Sequence, residues 1–309
     1  MAGTTSCADA DDESVSQTAS ALDSARSNAT IGNVRAGLPV MAKELDMRIL
    51  PLLLVLATPV TAHELWIEAL DWQPLAEGRL EADLVNGQNF EGLKLSYLPK
   101  WFSRFEIVAG DTVAVIEGRV GDSPAIGQPA LADGLHVVVY QSAPATVFYQ
   151  DWAKFLKFAG HKDLGDIATA HKGRGLPEVD FKEVYTRYSK ALIGVGAGAG
   201  ADKREGLETE IVALDNPYAG PLDVMRVQVF YGDAVRANAQ VELFEKAADG
   251  TVVVTLQRTD ADGVAVLPVR SGYEYMADAV VMRVPSDAMA TEHGAVWETL
   301  WANLTFAVP

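Results

Sequence analysis

The sequence predicts a mainly β protein with two immunoglobulin-like antiparallel β-sandwich domains and a small helical insertion between them. Three observations lead to this prediction. Short runs of β-branched and aromatic residues, separated by Gly, Pro and Asp, occupy both the first and the last thirds of the mature chain. Apolar residues recur at helical spacing only in the middle. The single cysteine, Cys7, leaves the remaining chain without thiols, so a hydrophobic core must hold the sandwiches together.

The first 62 residues are expected to lie outside the folded protein. Residues 47–62 combine an early positive charge, an apolar run and a small residue at Ala62, which is the layout of a secretory signal peptide. Cleavage after Ala62 would make His63 the first residue of a periplasmic protein that meets the membrane only during export. Residues 1–46, rich in Ala, Ser, Asp and Thr, are interpreted as a disordered or untranslated extension.

Residues 63–148 are predicted to form the N-terminal β-sandwich domain. Residues 79–84 alternate polar and apolar side chains, as a strand with one buried face does. Further strands are predicted at residues 105–108, 112–117 and 135–140, because these runs are β-branched or aromatic and are bounded by turn-forming residues.

Residues 149–200 are predicted to form the helical insertion and a linker. Within residues 149–160, apolar side chains recur every three or four positions, which favours a helix. The same spacing over residues 181–192 predicts a second helix. The glycines of residues 194–200 predict a flexible link to the next domain. A phosphate-binding loop is not expected there, because no Lys-Ser or Lys-Thr pair follows the glycines.

Residues 201–309 are predicted to form the C-terminal immunoglobulin-like domain. The spacing of apolar runs predicts six strands, at residues 225–231, 239–244, 251–257, 264–269, 276–284 and 299–308. The Asp-rich residues 259–263 are interpreted as a turn. A calcium loop would need an acidic residue at its twelfth position, where this chain has Ser271.

The composition narrows the classes of function. A formal net charge of −17, from 42 acidic and 25 basic residues, would repel nucleic acid and favour cations, so we expect no nucleic-acid partner. The chain has neither a Gly-x-Ser-x-Gly nucleophile motif nor a nucleotide-binding fingerprint, and we expect no enzymatic activity. Most of the six tryptophans fall at apolar-periodic positions, which favours core packing over a sugar-binding surface.

The five histidines are the candidate transition-metal ligands. None of them forms a local zinc motif, so a metal site would have to assemble in three dimensions. His63 is the leading candidate, because after cleavage its free α-amine and its imidazole could chelate one ion. A second ligand is expected from His136, on a predicted strand, or from His293, in a loop before the last strand. His161 and His171 lie beside basic residues, and we expect both to be exposed and free of metal.

Several segments, taken in order along the chain, carry a resemblance to a known family. The segments are residues 62–68 (Ala-His-Glu-Leu-Trp-Ile-Glu), 187–192, 207–212, 216–218, 232–235, 259–263, Trp297 and 304–306. The order resembles the exported domain-of-unknown-function family known as NikM-like nickel-uptake periplasmic proteins. This resemblance implies a periplasmic, β-rich protein with a C-terminal immunoglobulin-like module and a role in nickel or cobalt handling. It implies no catalytic residues.

We therefore expect a periplasmic transition-metal-binding protein that assists nickel or cobalt uptake, with copper as a third candidate ion. His63, His136 and His293 are the expected ligands, and a membrane transporter or outer-membrane receptor is the expected partner. Two alternatives remain open. One is a non-catalytic carbohydrate- or protein-binding sandwich without metal, and the other is a histidine-brace copper protein built on His63 and a second histidine.

Overall fold

The computed structural model describes residues 63–309. The predicted signal peptide (47–62) and the predicted extension (1–46) lie outside the described residues. Within the described part, strands dominate and the helices are few and short, which confirms the mainly β, sandwich-like fold class. No helix in this part is long and apolar enough to cross a membrane.

The described residues form seventeen strands and three α-helices. The strands are β1 (Glu64–Ala69), β2 (Arg79–Gln88), β3 (Glu91–Leu95), β4 (Phe102–Ala109), β5 (Thr112–Val115), β6 (Ile126–Pro129), β7 (Gly134–Ser142), β8 (Ala145–Tyr149), β9 (Phe181–Val195), β10 (Thr209–Ala213), β11 (Val224–Tyr231), β12 (Ala234–Val235), β13 (Gln240–Lys246), β14 (Val252–Arg258), β15 (Val264–Pro268), β16 (Tyr273–Arg283) and β17 (Ala295–Val308). The helices are α1 (Trp152–His161), α2 (Ile167–Gly173) and α3 (Asp287–His293).

A nine-stranded central sheet is the frame of the fold. Its strand order is β14-β13-β16-β17-β9-β7-β4-β5, and β8 pairs with the first part of β9. A smaller sheet contains β1, β2, β3 and β6, and another contains β10, β11, β12 and β15. The predicted antiparallel pairing has one exception, because β17 and β9 run parallel at the middle of the central sheet.

The central sheet is covered on both faces. On β7, Val137 and Val139 belong to one core with β10, β11 and β15, whereas Val138 and Tyr140 belong to another core with β1, β2 and β6. Successive side chains of a strand point to opposite faces, so the two small sheets lie on opposite sides of the central one. We call these sides the β11 face and the β1 face. Helices α1 and α2 also pack on the β1 face, against Trp297 and Trp301 of β17.

The predicted helix over residues 181–192 is wrong, since these residues form most of β9. The first predicted helix corresponds to α1, which begins after the N-cap Asp151. The error over β9 has a physical reason. Because both faces of this central strand are covered, its buried side chains do not alternate with exposed ones, and apolar residues happen to recur at helical spacing.

The central sheet contains strands from every domain predicted within residues 63–309. β4, β5, β7 and β8 lie within residues 63–148 or end beside that boundary, β9 lies within 149–200, and β13, β14, β16 and β17 lie within 201–309. The Gly-rich residues 194–200 form specific hydrogen bonds with a later segment of the chain. Gly196 and Gly198 have positive φ angles, and the Asn216 amide donates to the carbonyls of Gly198 and Gly200. The predicted boundaries therefore fall inside a shared sheet.

Candidate functional site

The first strand is attached to the central sheet by side chains. One edge of β1 pairs with β2. On its other edge, backbone carbonyls accept hydrogen bonds from side chains that project from β9 and β17. The bonds run from Arg187 Nη2 to His63 O, from Ser189 Oγ and Asn303 Nδ2 to Leu65 O, and from Thr305 Oγ1 to Ile67 O. The start of β1 is thereby fixed on the β1 face.

This attachment brings a buried cluster of charged side chains together. Lys162, directly after α1, places its Nζ 2.9 Å from Glu64 Oε1, 2.7 Å from Glu242 Oε2 and 3.0 Å from Asp278 Oδ2. The relative exposure is 5% or less for all four residues. One oxygen from each carboxylate lies within 4.8 Å of the others, a spacing that could hold a metal ion. We call Glu64, Glu242 and Asp278, with Lys162, the carboxylate cluster.

Local structure explains how each member reaches the cluster. Glu242 on β13 and Asp278 on β16 are directly paired across neighbouring strands, and both face the β1 side. Lys162 is the C-cap residue of α1, with its backbone N–H donating to the Phe158 carbonyl. Phe158 stacks on Trp301 at 5.7 Å, which sets the end of α1 against the sheet. The lysine is therefore positioned by helix packing and helix termination.

The cluster carries more negative than positive charge. Burial raises the pKa of Glu242 to about 7, although Lys162 opposes the shift. Burial likewise raises the pKa of Asp278. Burial alone would lower the pKa of Lys162, but its three carboxylate neighbours raise it. Within the described residues, Glu64 Oε2 and Asp278 Oδ1 are buried without a hydrogen-bond partner. The single ammonium therefore leaves acceptor oxygens free.

His161 lies at the solvent side of the cluster. Its Nε2 is 3.2 Å from Glu242 Oε1, and its side chain is 62% exposed. Burial and the neighbouring Lys162 lower the pKa of His161, which favours the neutral imidazole. The expectation that His161 is exposed is confirmed. An imidazole beside a carboxylate oxygen could supply a nitrogen ligand to a metal ion.

The three histidines predicted as ligands lie apart in the described structure. His63 is exposed at the start of β1, with its carbonyl bonded to Arg187 of β9. His136 on β7 pairs with Ile193 of β9, and the residue two positions after His293 pairs with Lys182 of β9. Residues 182 and 193 are separated by about 36 Å along a strand at roughly 3.3 Å per residue. His136 and His293 therefore cannot share one ion.

His136 uses both ring nitrogens for local structure. It is fully buried, its Nδ1 lies 3.0 Å from the Gly134 carbonyl, and its Nε2 accepts the Leu131 N–H. Burial lowers its pKa. His293 ends α3, and its buried Nε2 has no partner among the described residues.

The expectation that His171 is exposed is wrong, because it is buried in the helical region. Its Nδ1 accepts the Trp297 indole N–H and its Nε2 lies 2.9 Å from the Pro177 carbonyl.

Sequence reasoning did not find Glu242, Asp278 and Lys162. Two of them did leave a signal in the sequence. Glu242 and Asp278 are single acids within otherwise apolar runs, Val-Glu-Leu-Phe and Met-Ala-Asp-Ala-Val, and a buried acid needs a partner. The partner Lys162 lies 80 residues from Glu242 and 116 from Asp278 along the chain. Only the folded structure brings them together.

Comparison with known proteins identifies one family for this chain. A family model described as "Domain of unknown function (DUF4198)" matches residues 60–283. No curated protein matches the chain. Among solved structures, the chain is similar to a tetra-tandem repeat in the extending region of a large adhesion protein, at 13% identity and a TM-score of 0.19. The match covers 80% of this chain but only 50% of that one.

Proposed function

We propose that this chain, which belongs to the DUF4198 family of domains of unknown function, is a periplasmic transition-metal-binding protein that assists nickel or cobalt uptake. The observation that carries the proposal is the carboxylate cluster. Three buried carboxylates face one ammonium, and two of their oxygens are buried without a partner among the described residues. Unsatisfied buried oxygens with surplus negative charge favour a divalent cation.

The donor chemistry fits a nickel or cobalt ion. Glu64, Glu242 and Asp278 supply oxygens, and His161 supplies a nitrogen at the solvent side. These ions accept mixed oxygen and imidazole ligands, and residues 63–309, which contain no cysteine, offer no thiolate to ions that require sulfur. In the proposed binding step, the divalent ion competes with the Lys162 ammonium for the same oxygens. The flexible lysine side chain turns away, because a double charge interacts more strongly with three carboxylates than a single charge does.

Metal titration tests this proposal directly. Ni²⁺, Co²⁺, Cu²⁺ and Zn²⁺ are titrated by calorimetry into the exported protein, whose N-terminus is first determined by mass spectrometry. We expect Ni²⁺ or Co²⁺ to bind with 1:1 stoichiometry, and Glu242→Gln to weaken that binding at least tenfold. Glu245→Gln is the matched control, since Glu245 lies on the same strand but bonds Tyr275 and Arg270 instead. Equal binding by wild type and Glu242→Gln would rule out the cluster as the site.

His63 remains a predicted ligand and needs its own test. A chain with one extra residue before His63 keeps the imidazole but loses the chelating α-amine. We expect this extension to weaken metal binding if the amine contributes, and to leave it unchanged if the carboxylate cluster acts alone. Absence of metal binding by every form of the protein would overturn the proposed function.

The role in uptake is tested in cells. Nickel and cobalt accumulation is compared between cells with the wild-type gene, the deletion, and Glu242→Gln. We expect the deletion and Glu242→Gln to lower accumulation alike, whereas Glu245→Gln supports normal accumulation. A membrane transporter or outer-membrane receptor is the partner expected to receive or deliver the ion.

A further inference from the structure

A cleft opens beside the start of β1, with Leu65 in its lining. It has a volume of about 340 Å³, and its lining includes Leu95, Lys100, Trp101, Tyr140, Tyr185 and Arg187. This volume lies in the range of about 300–1,000 Å³ that is typical of small-molecule sites. The lining combines three aromatic rings with two cations and no acidic side chain. We call it the aromatic cleft.

Arg187 is the unusual residue of the aromatic cleft. It is only 8% exposed, and its Nη2 donates to the His63 carbonyl. Its Nε is buried and has no partner among the described residues. Its guanidinium lies over the Tyr185 ring, 4.3 Å from the ring centroid, and among the described residues it forms no ion pair with a carboxylate. A buried guanidinium without a bonded anion is costly, so its free donors favour an anionic ligand.

Glu183 and Asp278 both lie within the electrostatic reach of Arg187. Glu183 accepts hydrogen bonds from Tyr149 and Thr299. Asp278 accepts through its Oδ2 from Lys162. Both carboxylates feel the positive field of Arg187, but neither is within hydrogen-bond distance of it among the described contacts. The guanidinium therefore keeps donor capacity that this chain's own carboxylates do not use.

We propose that the aromatic cleft binds a small organic carboxylate with a flat apolar body, with its carboxylate group on Arg187. A guanidinium presents donors in a planar fork that matches a carboxylate, and Lys100 adds a second positive charge to the lining. The apolar body would lie among the aromatic rings. The Tyr140 hydroxyl donates to the Trp101 carbonyl, which fixes this wall, and the Trp101 side chain is 43% exposed at the surface.

This site is independent of the proposed metal function. Arg187 and the carboxylate cluster share the β1 face, but the aromatic cleft contains none of Glu64, Glu242 and Asp278. Carboxylate binding is therefore measured with EDTA present, and we expect it to persist in Glu242→Gln. A protein that binds no metal could therefore still bind benzoate, and a protein that binds no benzoate could still bind metal.

The probe pair is benzoate and benzamide, which have nearly the same shape but differ in charge. Both are titrated into the exported protein by calorimetry, with tryptophan fluorescence as a second readout. We expect benzoate to bind saturably and benzamide to bind at least tenfold more weakly, because only benzoate neutralises Arg187. Equal affinities, or no saturable benzoate binding at tens of millimolar, would overturn the proposal.

Variants locate the probe within the molecule. Arg187→Gln should abolish benzoate binding, but it also removes the hydrogen bond to the His63 carbonyl, so variants that leave this bond intact are needed beside it. Trp101→Ala and Lys100→Gln serve this purpose, since both side chains are at the surface, and we expect each to weaken benzoate binding at least threefold. Arg226→Gln is the control, because Arg226 is an exposed arginine paired with Asp215 elsewhere. Unchanged binding in both Trp101→Ala and Lys100→Gln would place the probe outside the cleft and overturn the assignment.

Discussion

Two buried lysines lie on opposite faces of the central sheet, and their surroundings differ in one decisive respect. Lys162, on the β1 face, contacts three carboxylates. Lys190 of β9, on the β11 face, is fully buried and contacts Asp202, Glu210 and the Lys203 carbonyl. Both lysines connect segments that are distant in sequence. Burial alone therefore does not distinguish them.

The hydrogen bonds to the carboxylates do distinguish them. Every oxygen of Asp202 and Glu210 accepts from a donor besides Lys190. The further donors are the backbone N–H groups of Lys203, Glu205, Gly206, Leu207 and Ala213, and the Arg204 guanidinium. The neighbouring, less buried Glu205 has one unpartnered oxygen, but it forms no ion pair with Lys190 among the described residues.

The comparison gives a criterion for separating a structural ion cluster from a binding site. Around Lys190, two carboxylates are balanced by Lys190 and Arg204, and their acceptor oxygens are satisfied. Around Lys162, three carboxylates face one cation, and two oxygens have no partner in the described part of the chain. The donors available to each oxygen therefore matter more than the depth of burial.

Removing the Lys162 ammonium is expected to have the largest effect. Lys162→Met leaves three buried carboxylates without a cation, and we expect it to lower the free energy of unfolding by about 3–5 kcal/mol. If the cluster binds metal, Ni²⁺ or Co²⁺ at about a hundred times its Kd should restore roughly 2.7 kcal/mol. Urea unfolding with and without the metal measures both effects. Loss of stability without any recovery on adding metal would contradict the cation-binding role.

Removing Lys190 should have a smaller effect that metal does not reverse. Lys190→Met leaves Asp202 and Glu210 with their backbone donors and with Arg204, so we expect a loss of about 3 kcal/mol. The same urea series measures it. Recovery with Ni²⁺ equal to that of Lys162→Met would remove the distinction between the two clusters.

The pH dependence of stability sharpens the comparison further. The folded-state pKa of Glu242 is raised from 4.5 to about 7, so the folded protein binds more protons than the unfolded chain between these values. The Glu242 carboxyl alone should therefore lower stability as the pH rises from about 5 to 7.5, with a slope of up to roughly 1.4 kcal/mol per pH unit. Denaturant unfolding across this range measures the slope.

Glu183 must be separated from Glu242 in this measurement. Burial raises the pKa of Glu183 to about 7 as well, so it contributes a slope of the same sign. We expect Glu242→Gln and Glu183→Gln each to reduce the slope, and the double variant to remove most of it. A slope that neither substitution changes would show that other groups dominate the titration.

The strands were more predictable than the way they assemble. The predicted runs at 79–84 and 135–140, and all six in the C-terminal region, coincide with strands, because β-branched and aromatic residues and turn signals are local properties. The pairing of β9 with β17 joins residues more than a hundred positions apart, and no local pattern encodes it. The sequence of β9 resembles that of a helix because both faces of the strand are buried.

The site was less predictable than the strands for the same reason. The sequence predicts His63 as a ligand but not its neighbour Glu64, and it indicates Lys162 only as a basic residue beside His161. The actual role of Lys162 depends on Glu242 and Asp278, which reach it from other strands. Glu242 and Asp278 stand out in the sequence as acids within apolar runs. Their partner Lys162 does not, because its position depends on the packing of α1 against Trp301.

The smallest expected effect concerns the attachment of β1, which delivers Glu64 to the cluster. Thr305 Oγ1 is the side-chain donor to the Ile67 carbonyl, whereas the Leu65 carbonyl has two donors, Ser189 and Asn303. Thr305→Val keeps the shape but leaves that carbonyl without its donor, and we expect a loss of about 1–2 kcal/mol. Ser189→Ala should cost less, about 0.5 kcal/mol, because Asn303 still donates.

Thermal and urea unfolding of these two variants, followed by metal titration, completes the comparison. Neither substitution changes the charge of the carboxylate cluster, so metal affinity should change less than twofold if β1 stays attached. A much larger loss of affinity in Thr305→Val than in Ser189→Ala would mean that the attachment of β1 controls the position of Glu64. In that case the geometry of the carboxylate cluster depends on the attachment of β1 to the central sheet. The carboxylates around Lys190, by contrast, are held by backbone N–H donors.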